Sequence, residues 1–168
     1  MRQWRPARDI LLSLGLLIVP LLVLMALCQP SGNDIATVDP SGTYRAARAE
    51  AKFPVLTPTD LSDGYRATNA ALNRLEGGAV TVRVSYLTPS EKYLQLVQSD
   101  VDSEKLILAE LGAGKIQGTA DVRGVAWQQY GGRRPGETAL VLLGPKATVM
   151  VTGDASVGDM RAFAATLR

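Results

Sequence analysis

The stretch TALVLLGPKATVMVT, residues 138–152, decides the fold of this chain. Two runs rich in aliphatic and β-branched residues, 138–143 and 147–152, flank Gly144-Pro145-Lys146. A glycine and a proline between two such runs are typical of a tight turn, so the stretch predicts an antiparallel hairpin. We therefore expect a domain built on an antiparallel sheet.

Upstream of the hairpin, alternation of apolar and polar residues predicts four more strands. The clearest is residues 80–87, VTVRVSYL, where valine occupies every second position at its start. Turn residues bound it on both sides, Glu76-Gly77-Gly78 before and Thr88-Pro89-Ser90 after. The other three predicted strands are residues 65–73, 93–99 and 122–130, with a glycine-containing loop at 112–121.

Two helices complete the predicted order. Ser103 is expected to cap a helix over residues 104–111, which Gly112 ends. Ser156 and Asp159 have the spacing of a capping box before a C-terminal helix. The apolar residues of that helix follow the helical period and predict one buried face: Met160, Phe163, Ala164 and Leu167. The order β-β-β-α-β-β-β-α predicts an α+β domain, an antiparallel sheet of about six strands with helices on one face.

A second stretch, ILLSLGLLIVPLLVLMALC at residues 10–28, predicts a transmembrane helix. At about 1.5 Å per residue it would reach about 28 Å, close to the hydrocarbon thickness of a bilayer. Arg2, Arg5 and Arg8 precede it. The positive-inside rule therefore keeps residues 1–9 in the cytoplasm as a basic tail and places the C-terminal part outside.

Three other interpretations of residues 10–28 stay open. A cleaved secretory signal would have a shorter apolar region and an A-x-A-like site, whereas residues 25–29 read MALCQ. A lipoprotein signal would make Cys28 the lipidated residue, but Leu27 is bulky where a small residue is usual. A buried globular helix would not account for the arginine cluster before it.

Residues 29–52 are expected to form a linker. The first part is rich in Pro, Ser, Gly, Asn and Asp, and residues 43–51, TYRAARAEA, predict a short juxtamembrane helix. The charges of this helix favour a solvated face over a lipid-binding one. The extracytoplasmic domain is then residues 53–168.

Beyond residue 30 the chain has as many basic as acidic residues, which removes the electrostatic support for nucleic-acid binding.

The chain has no histidine and a single cysteine, Cys28. Metal sites built on imidazole or thiolate, cysteine nucleophiles, Ser-His-Asp triads and intramolecular disulfides are therefore excluded, and no cofactor is expected.

Carboxylate chemistry has two candidate pairs, Asp60 with Asp63 and Asp100 with Asp102. Both pairs lie in polar turns rather than in the apolar surroundings that create an acid catalyst. We therefore expect a protein that is not an enzyme.

Four residues are candidates for interaction with a partner. Arg133 and Arg134 lie in a glycine-rich loop, either solvated or in contact with lipid phosphate or an acidic envelope polymer. Trp127 could stack on a ligand ring, although a tryptophan at the centre of a strand is also typical of a core. Asp154 belongs to the segment GDAS at 153–156, whose backbone amides either cap the following helix or hold an anion.

Several short motifs resemble those of a known family. They are LSDGYR at 61–66, SYLTP at 85–89, the strand at 93–99, GVAW at 124–127 and VTGDA at 151–155, together with the arginine-flanked span. On these motifs the sequence resembles, over nearly its whole length, the domain-of-unknown-function family 4245 of actinobacterial single-pass membrane proteins. Tyr65 stands where that family has Trp. The resemblance implies an envelope protein and supplies no activity or site residues.

The function predicted from these observations is that of a membrane-anchored, extracytoplasmic binding or interaction module of the cell envelope. Its partners would be the bilayer, through residues 10–28, and an envelope protein or envelope ligand. Two alternatives remain. One is a structural subunit of a membrane complex, and the other is an envelope hydrolase that uses carboxylates or tyrosine.

Overall fold

The computed structural model describes residues 18–20 and 36–168. Of the predicted membrane span, only residues 18–20 fall within this part, and they are helical. The rest of the span, the basic tail 1–9 and Cys28 lie outside the described residues. No helix in the described part of the chain combines the length and the apolar character that a bilayer crossing requires.

Seven strands and three α-helices make up the described unit Ala36–Arg168. In chain order they are α1 (Ser41–Glu50), β1 (Arg66–Arg74), β2 (Val80–Leu87), β3 (Tyr93–Ser99), α2 (Ser103–Leu111), β4 (Ile116–Val122), β5 (Val125–Gly131), β6 (Thr138–Leu143), β7 (Thr148–Gly153) and α3 (Val157–Ala164), with a short 3-10 helix at Glu76–Gly78. The bounds predicted for β2, β3 and β6 are confirmed.

All seven strands pair antiparallel in one sheet, in the order β1-β2-β3-β7-β6-β5-β4. Strands β1 to β3 form one meander and β4 to β7 form another. The two meanders meet at a single strand pair, β3 with β7, in which Leu96 is opposite Val151 and Val97 is opposite Met150. The predicted α+β class with an antiparallel sheet is therefore confirmed.

The prediction of six strands is wrong, because residues 116–131 form a hairpin rather than the end of a loop and one strand. Strands β4 and β5 are joined at Arg123-Gly124, whose φ angles are both positive, 54° and 83°. The Asp121 carboxylate accepts a hydrogen bond from the Gly124 amide at 3.2 Å, which stabilises the turn. A two-residue turn is hard to recognise in the sequence when apolar and polar residues alternate both before and after it.

The prediction that the helices lie on one face of the sheet is also wrong. Helices α1 and α3 pack on one face, where they bury the main cluster, which includes Tyr44, Leu96 and Phe163. Helix α2 packs on the opposite face over the second cluster, which includes Leu106 and Met150. The central strands need cover on both faces because neighbouring side chains along β3 and β7 point to opposite sides and are apolar on each.

Helix α1 is part of the folded unit rather than of a linker that ends at residue 52. Tyr44 and Ala47, three residues apart on one side of the helix, are buried in the main cluster. A backbone hydrogen bond also ties the residues before α1 to the sheet, since the Val38 amide donates to the Ala67 carbonyl of β1 at 2.8 Å. The amphipathic face of α1 therefore belongs to the domain core.

The helix ends confirm two predictions and correct one. The Ser156 hydroxyl accepts from the Asp159 amide at 3.1 Å, as the capping-box spacing predicts for α3. Helix α2 is capped by Asp102, whose carboxylate accepts from the Lys105 amide at 3.1 Å, and not by Ser103. Gly112 ends α2 with a φ of 68°, as predicted.

A strap at residues 53–59 crosses the face covered by α1 and α3. The buried amide of Gln98 holds it, because Oε1 accepts from the Leu56 amide at 2.8 Å and Nε2 donates to the Leu56 carbonyl at 2.7 Å. Further on, the Thr57 amide donates to the Arg168 carbonyl at 2.8 Å, and the Arg168 amide donates back at 3.0 Å. The strap is thus held to β3 at Leu56 and to Arg168 at Thr57, and its last residues form part of one wall of the groove described next.

Candidate functional site

A groove with a volume of about 630 Å³ lies along helix α1. One wall is α1 with the residues just before it, and the other is the end of the strap and the residues up to 61. Tyr65 and Ala67 border the groove near the start of β1, and Tyr44 and Tyr86 lie at its floor. The volume falls within the range of about 300–1,000 Å³ that is usual for small-molecule sites.

The floor of the groove is a pair of buried tyrosines. Tyr44 of α1 and Tyr86 of β2 are 5% and 3% exposed, and their hydroxyl oxygens are 2.9 Å apart. Burial is the main cause that raises the pKa of both phenols, so both keep their protons at neutral pH. One hydroxyl donates to the other, and within residues 36–168 the second proton has no acceptor. The pair therefore offers the groove one O–H donor.

Two arginines stand at the rim. Arg45 and Arg48 are three positions apart on α1, so their side chains leave the helix on neighbouring parts of its surface. The Arg48 guanidinium donates to the Thr57 hydroxyl at 2.9 Å, which joins the helix to the strap. Within the described unit neither arginine forms a salt bridge. Most of their hydrogen-bonding capacity is therefore available to a bound molecule.

The carboxylate at the rim, Asp39, is already occupied. Its two oxygens accept from the Ser41 amide at 2.9 Å and the Ser41 hydroxyl at 2.7 Å. The hydroxyl bond is the main cause that holds the pKa of Asp39 below its usual value, with the amide bond and the charge of Arg45 adding to it. Asp39 thus stays ionised and fixed, and it is not suited to donate a proton to a substrate.

Apolar side chains line the remainder of the groove. Val38 is 39% exposed, and Leu61 and Pro58 are partly exposed on the opposite wall. Behind them the Phe163 ring lies 5.1 Å from the ring of Tyr86 and 5.9 Å from that of Tyr65. These aromatic contacts give the floor a rigid support in the main cluster.

Of the residues that the sequence singles out, Trp127 is in the core. It is 3% exposed and packs in the main cluster. Its ring is therefore not accessible to a ligand, and the core interpretation of this residue is the one that the structure supports.

Arg133, Arg134 and Asp154 lie in turns, each with an intramolecular partner. Arg133 donates to the Ala109 carbonyl near the end of α2 at 3.0 Å, and Arg134 is a mostly exposed residue 3.9 Å from Glu137. The Asp154 carboxylate accepts from the Tyr93 amide at 2.6 Å, which ties the β7–α3 turn to β3. None of the three lies in the groove lining.

The two carboxylate pairs are also in structural roles. Asp100 accepts from the Val80 amide at 2.7 Å and Asp102 caps α2. Asp60 is exposed 4.0 Å from Arg168, with Asp63 exposed nearby in sequence. At the start of α3, the Ser156 hydroxyl donates to the Asp159 carboxylate at 2.7 Å, so the helix already has an anion of its own at that end.

Sequence reasoning missed the residues that build the groove, Tyr44, Arg45, Arg48 and Tyr86. Part of the signal is local, since TYRAAR places the two arginines at helical spacing beside a tyrosine. The rest is not local, because Tyr86 lies 42 positions from its partner and looks like an ordinary strand residue. For the charges of residues 43–51, the sequence favours a solvated face over a lipid-binding one, so it does not single out these arginines.

The comparisons with known proteins identify a family and no activity. The profile of the family described as "Protein of unknown function (DUF4245)" matches residues 2–167. No curated protein matches the chain. The family resemblance that the short motifs indicate is therefore confirmed, and the chain belongs to the DUF4245 family.

Proposed function

We propose that this protein is a non-enzymatic binding module of the cell envelope, anchored in the membrane through residues 10–28, and that its ligand site is the groove along α1. The observation that carries the proposal is the groove itself. It combines a buried O–H donor, two arginines without salt bridges in the described unit and an exposed apolar lining. Such a combination of an apolar lining with a few convergent polar groups is typical of binding sites.

The chemistry of the lining supports binding rather than catalysis. General acid–base catalysis at neutral pH needs a group that can both take and give a proton. The two phenols at the floor keep their protons because burial raises their pKa, and the arginines stay charged. Asp39 stays ionised because Ser41 holds it. The polar groups that line the groove therefore have fixed charges and fixed dipoles, which suit the binding of a ligand rather than proton transfer.

The sequence before the groove supports a location close to a membrane surface. Residues 29–37 separate the predicted span from Val38, and at about 3.3 Å per residue they reach at most about 30 Å. The basic residues before the span favour an extracytoplasmic side for the domain. The single-pass, actinobacterial character implied by the motif resemblance agrees with this proposal.

Site-specific photocrosslinking in native membranes tests the proposal. In the full chain, p-benzoylphenylalanine replaces Leu61 in the groove wall or, as the matched control, Leu108, which is 63% exposed on the opposite face of the sheet. We expect an adduct of defined mass from position 61 and none of that mass from position 108. The proposal is wrong if position 61 gives no adduct, or if both positions give the same one.

A further inference from the structure

We infer that the groove binds a small acidic amphiphile, a molecule with a phosphate or carboxylate head and one apolar chain. The head would lie between Arg45, Arg48 and the tyrosine floor, and the chain along the lining formed by Val38, Pro58 and Leu61. This inference rests on the proposed function and specifies the class of its ligand.

The charge of the head follows from the arginines. In the described unit, Arg66, Arg74 and Arg83 are each paired with a glutamate, whereas Arg45 and Arg48 are not. A guanidinium has five N–H donors in a planar fork that matches an oxyanion, and Arg48 uses one nitrogen on Thr57. The Arg48–Thr57 bond also positions that fork over the groove. Two adjacent forks favour an anion at this end.

The tyrosine pair supplies a third donor to the same anion. Of its two O–H groups one is used between Tyr44 and Tyr86, and the other has no acceptor in residues 36–168. Because both phenols are protonated, this group has an O–H available to donate. An oxygen atom of the ligand would satisfy it. A cationic head is disfavoured, because the groove lining has two guanidinium groups, Arg45 and Arg48, against one carboxylate, Asp39.

The apolar lining indicates that the ligand has an apolar chain in addition to its acidic head. Val38 is a large apolar side chain left 39% exposed beside the groove, and the opposite wall has Pro58 in the strap and Leu61 just after it. Burying apolar surface yields about 25 cal/mol per Å², so a ligand with an apolar chain binds more tightly than its head alone. A volume of about 630 Å³ is much larger than a single phosphate needs.

The test uses the full chain in nanodiscs of zwitterionic phosphatidylcholine, with octyl phosphate as the probe and ³¹P NMR line broadening as the measurement. Empty nanodiscs give the partition of the probe into the bilayer. We expect saturable binding to the protein. The double variant Arg45→Gln/Arg48→Gln should bind about tenfold or more weakly, since each hydrogen bond to a charged group contributes about 1.5–3 kcal/mol. The matched control, Arg133→Gln/Arg134→Gln, removes the same charge far along the chain and should leave the affinity unchanged.

Two further probes separate the parts of the ligand. Octylphosphocholine has the same chain with a zwitterionic head that has no net charge, and inorganic phosphate has the charge without the chain. Both should bind at least about tenfold more weakly than octyl phosphate. Equal affinity for octylphosphocholine or for inorganic phosphate overturns the inference, as does equal loss in both arginine double variants.

The outcomes also separate the inference from the proposed function. If octyl phosphate does not bind while position 61 still crosslinks to a defined component, the groove has a ligand of another class and only the inference fails. If neither occurs, both fail. Thermal melts of the two double variants, compared with the unsubstituted chain, show whether a lost affinity reflects lost folding.

Discussion

The hydroxyl oxygens of Tyr44 and Tyr86 lie 2.9 Å apart beneath the groove, although one residue belongs to a helix and the other to a strand 42 positions later. This contact joins α1 to the sheet and supplies the polar floor of the site. It therefore links the stability of the domain to the chemistry of its groove.

Replacing Tyr86 by phenylalanine should destabilise the domain by about 1 kcal/mol. The change removes the single hydrogen bond between the two hydroxyls and leaves that of Tyr44 buried beside an apolar ring. Equilibrium unfolding in urea measures the free energy. The control is Tyr93→Phe, which removes a hydroxyl that is 3.1 Å from Ser85 on a residue that is 40% exposed. An equal loss in both variants would contradict this role of the buried pair.

The tyrosine pair should make the domain sensitive to alkaline pH. Burial raises the pKa of Tyr44 and Tyr86 above the ordinary value of about 10, so above pH 10 the unfolded chain loses these protons while the folded chain keeps them. Stability is then fully present below pH 10 and falls as the pH rises, by up to about 1.4 kcal/mol per pH unit for each tyrosine. Urea midpoints across pH 8–11 measure it. In the double variant Tyr44→Phe/Tyr86→Phe the decline should be shallower than in the unsubstituted chain.

Gln98→Leu should cost about 2 kcal/mol or more of stability. The substitution keeps the approximate size of the side chain but removes both hydrogen bonds to Leu56, whose amide and carbonyl lose their partners in a partly buried strap. Hydrogen exchange of the Leu56 backbone amide should become faster as the stability falls. Gln95→Leu, on the other face of β3, is the control, and it should leave exchange at Leu56 unchanged.

Ala67→Phe should abolish the crosslink from position 61 with little change in stability. Ala67 is partly buried in the groove lining, and a phenyl ring at this position would occupy the space that a ligand needs. Adduct yield in native membranes is the measurement, and a thermal melt is the control. A crosslink of unchanged yield would mean that the ligand lies outside the groove.

Trp127→Ala should cost about 3–5 kcal/mol, as expected for the loss of a large aromatic side chain from a packed core. Urea unfolding measures it. Trp127→Phe keeps most of the apolar contact and should cost clearly less. A cost below about 1 kcal/mol for the alanine variant would be incompatible with the buried position of this ring.

Much of the sheet could be predicted because its strands alternate and end at glycine or proline. Strands β2 and β6 end next to Pro89 and Gly144, and β3 shows the alternation. Strand β4 was missed because it is an edge strand, with Gly118 in its middle and mostly exposed side chains. The faces of the helices could not be predicted either, because β3 and β7 are apolar on both sides and either face could accept α2.

The candidate site was less predictable than the fold. Its charged rim lies in one short helix, whose spacing is visible in the sequence. Its floor and its second wall come from β2 and the strap, which only the folded sheet brings next to that helix. Because the residues of the groove are far apart in the sequence, they form no short motif. Residues that do lie in short motifs, such as Asp154, were therefore predicted as candidates instead.

The sheet order has a kinetic consequence. Within each meander, neighbouring strands are close in sequence, so their hairpins can close quickly. The seam between β3 and β7 instead joins Leu96 to Val151, and helix α2 and strands β4 to β6 lie between them in the sequence. Closing so long a loop costs more conformational entropy than closing a hairpin, and chains dominated by such distant pairings fold more slowly. We therefore expect the docking of the two meanders, rather than the closing of their hairpins, to limit the rate at which the domain folds.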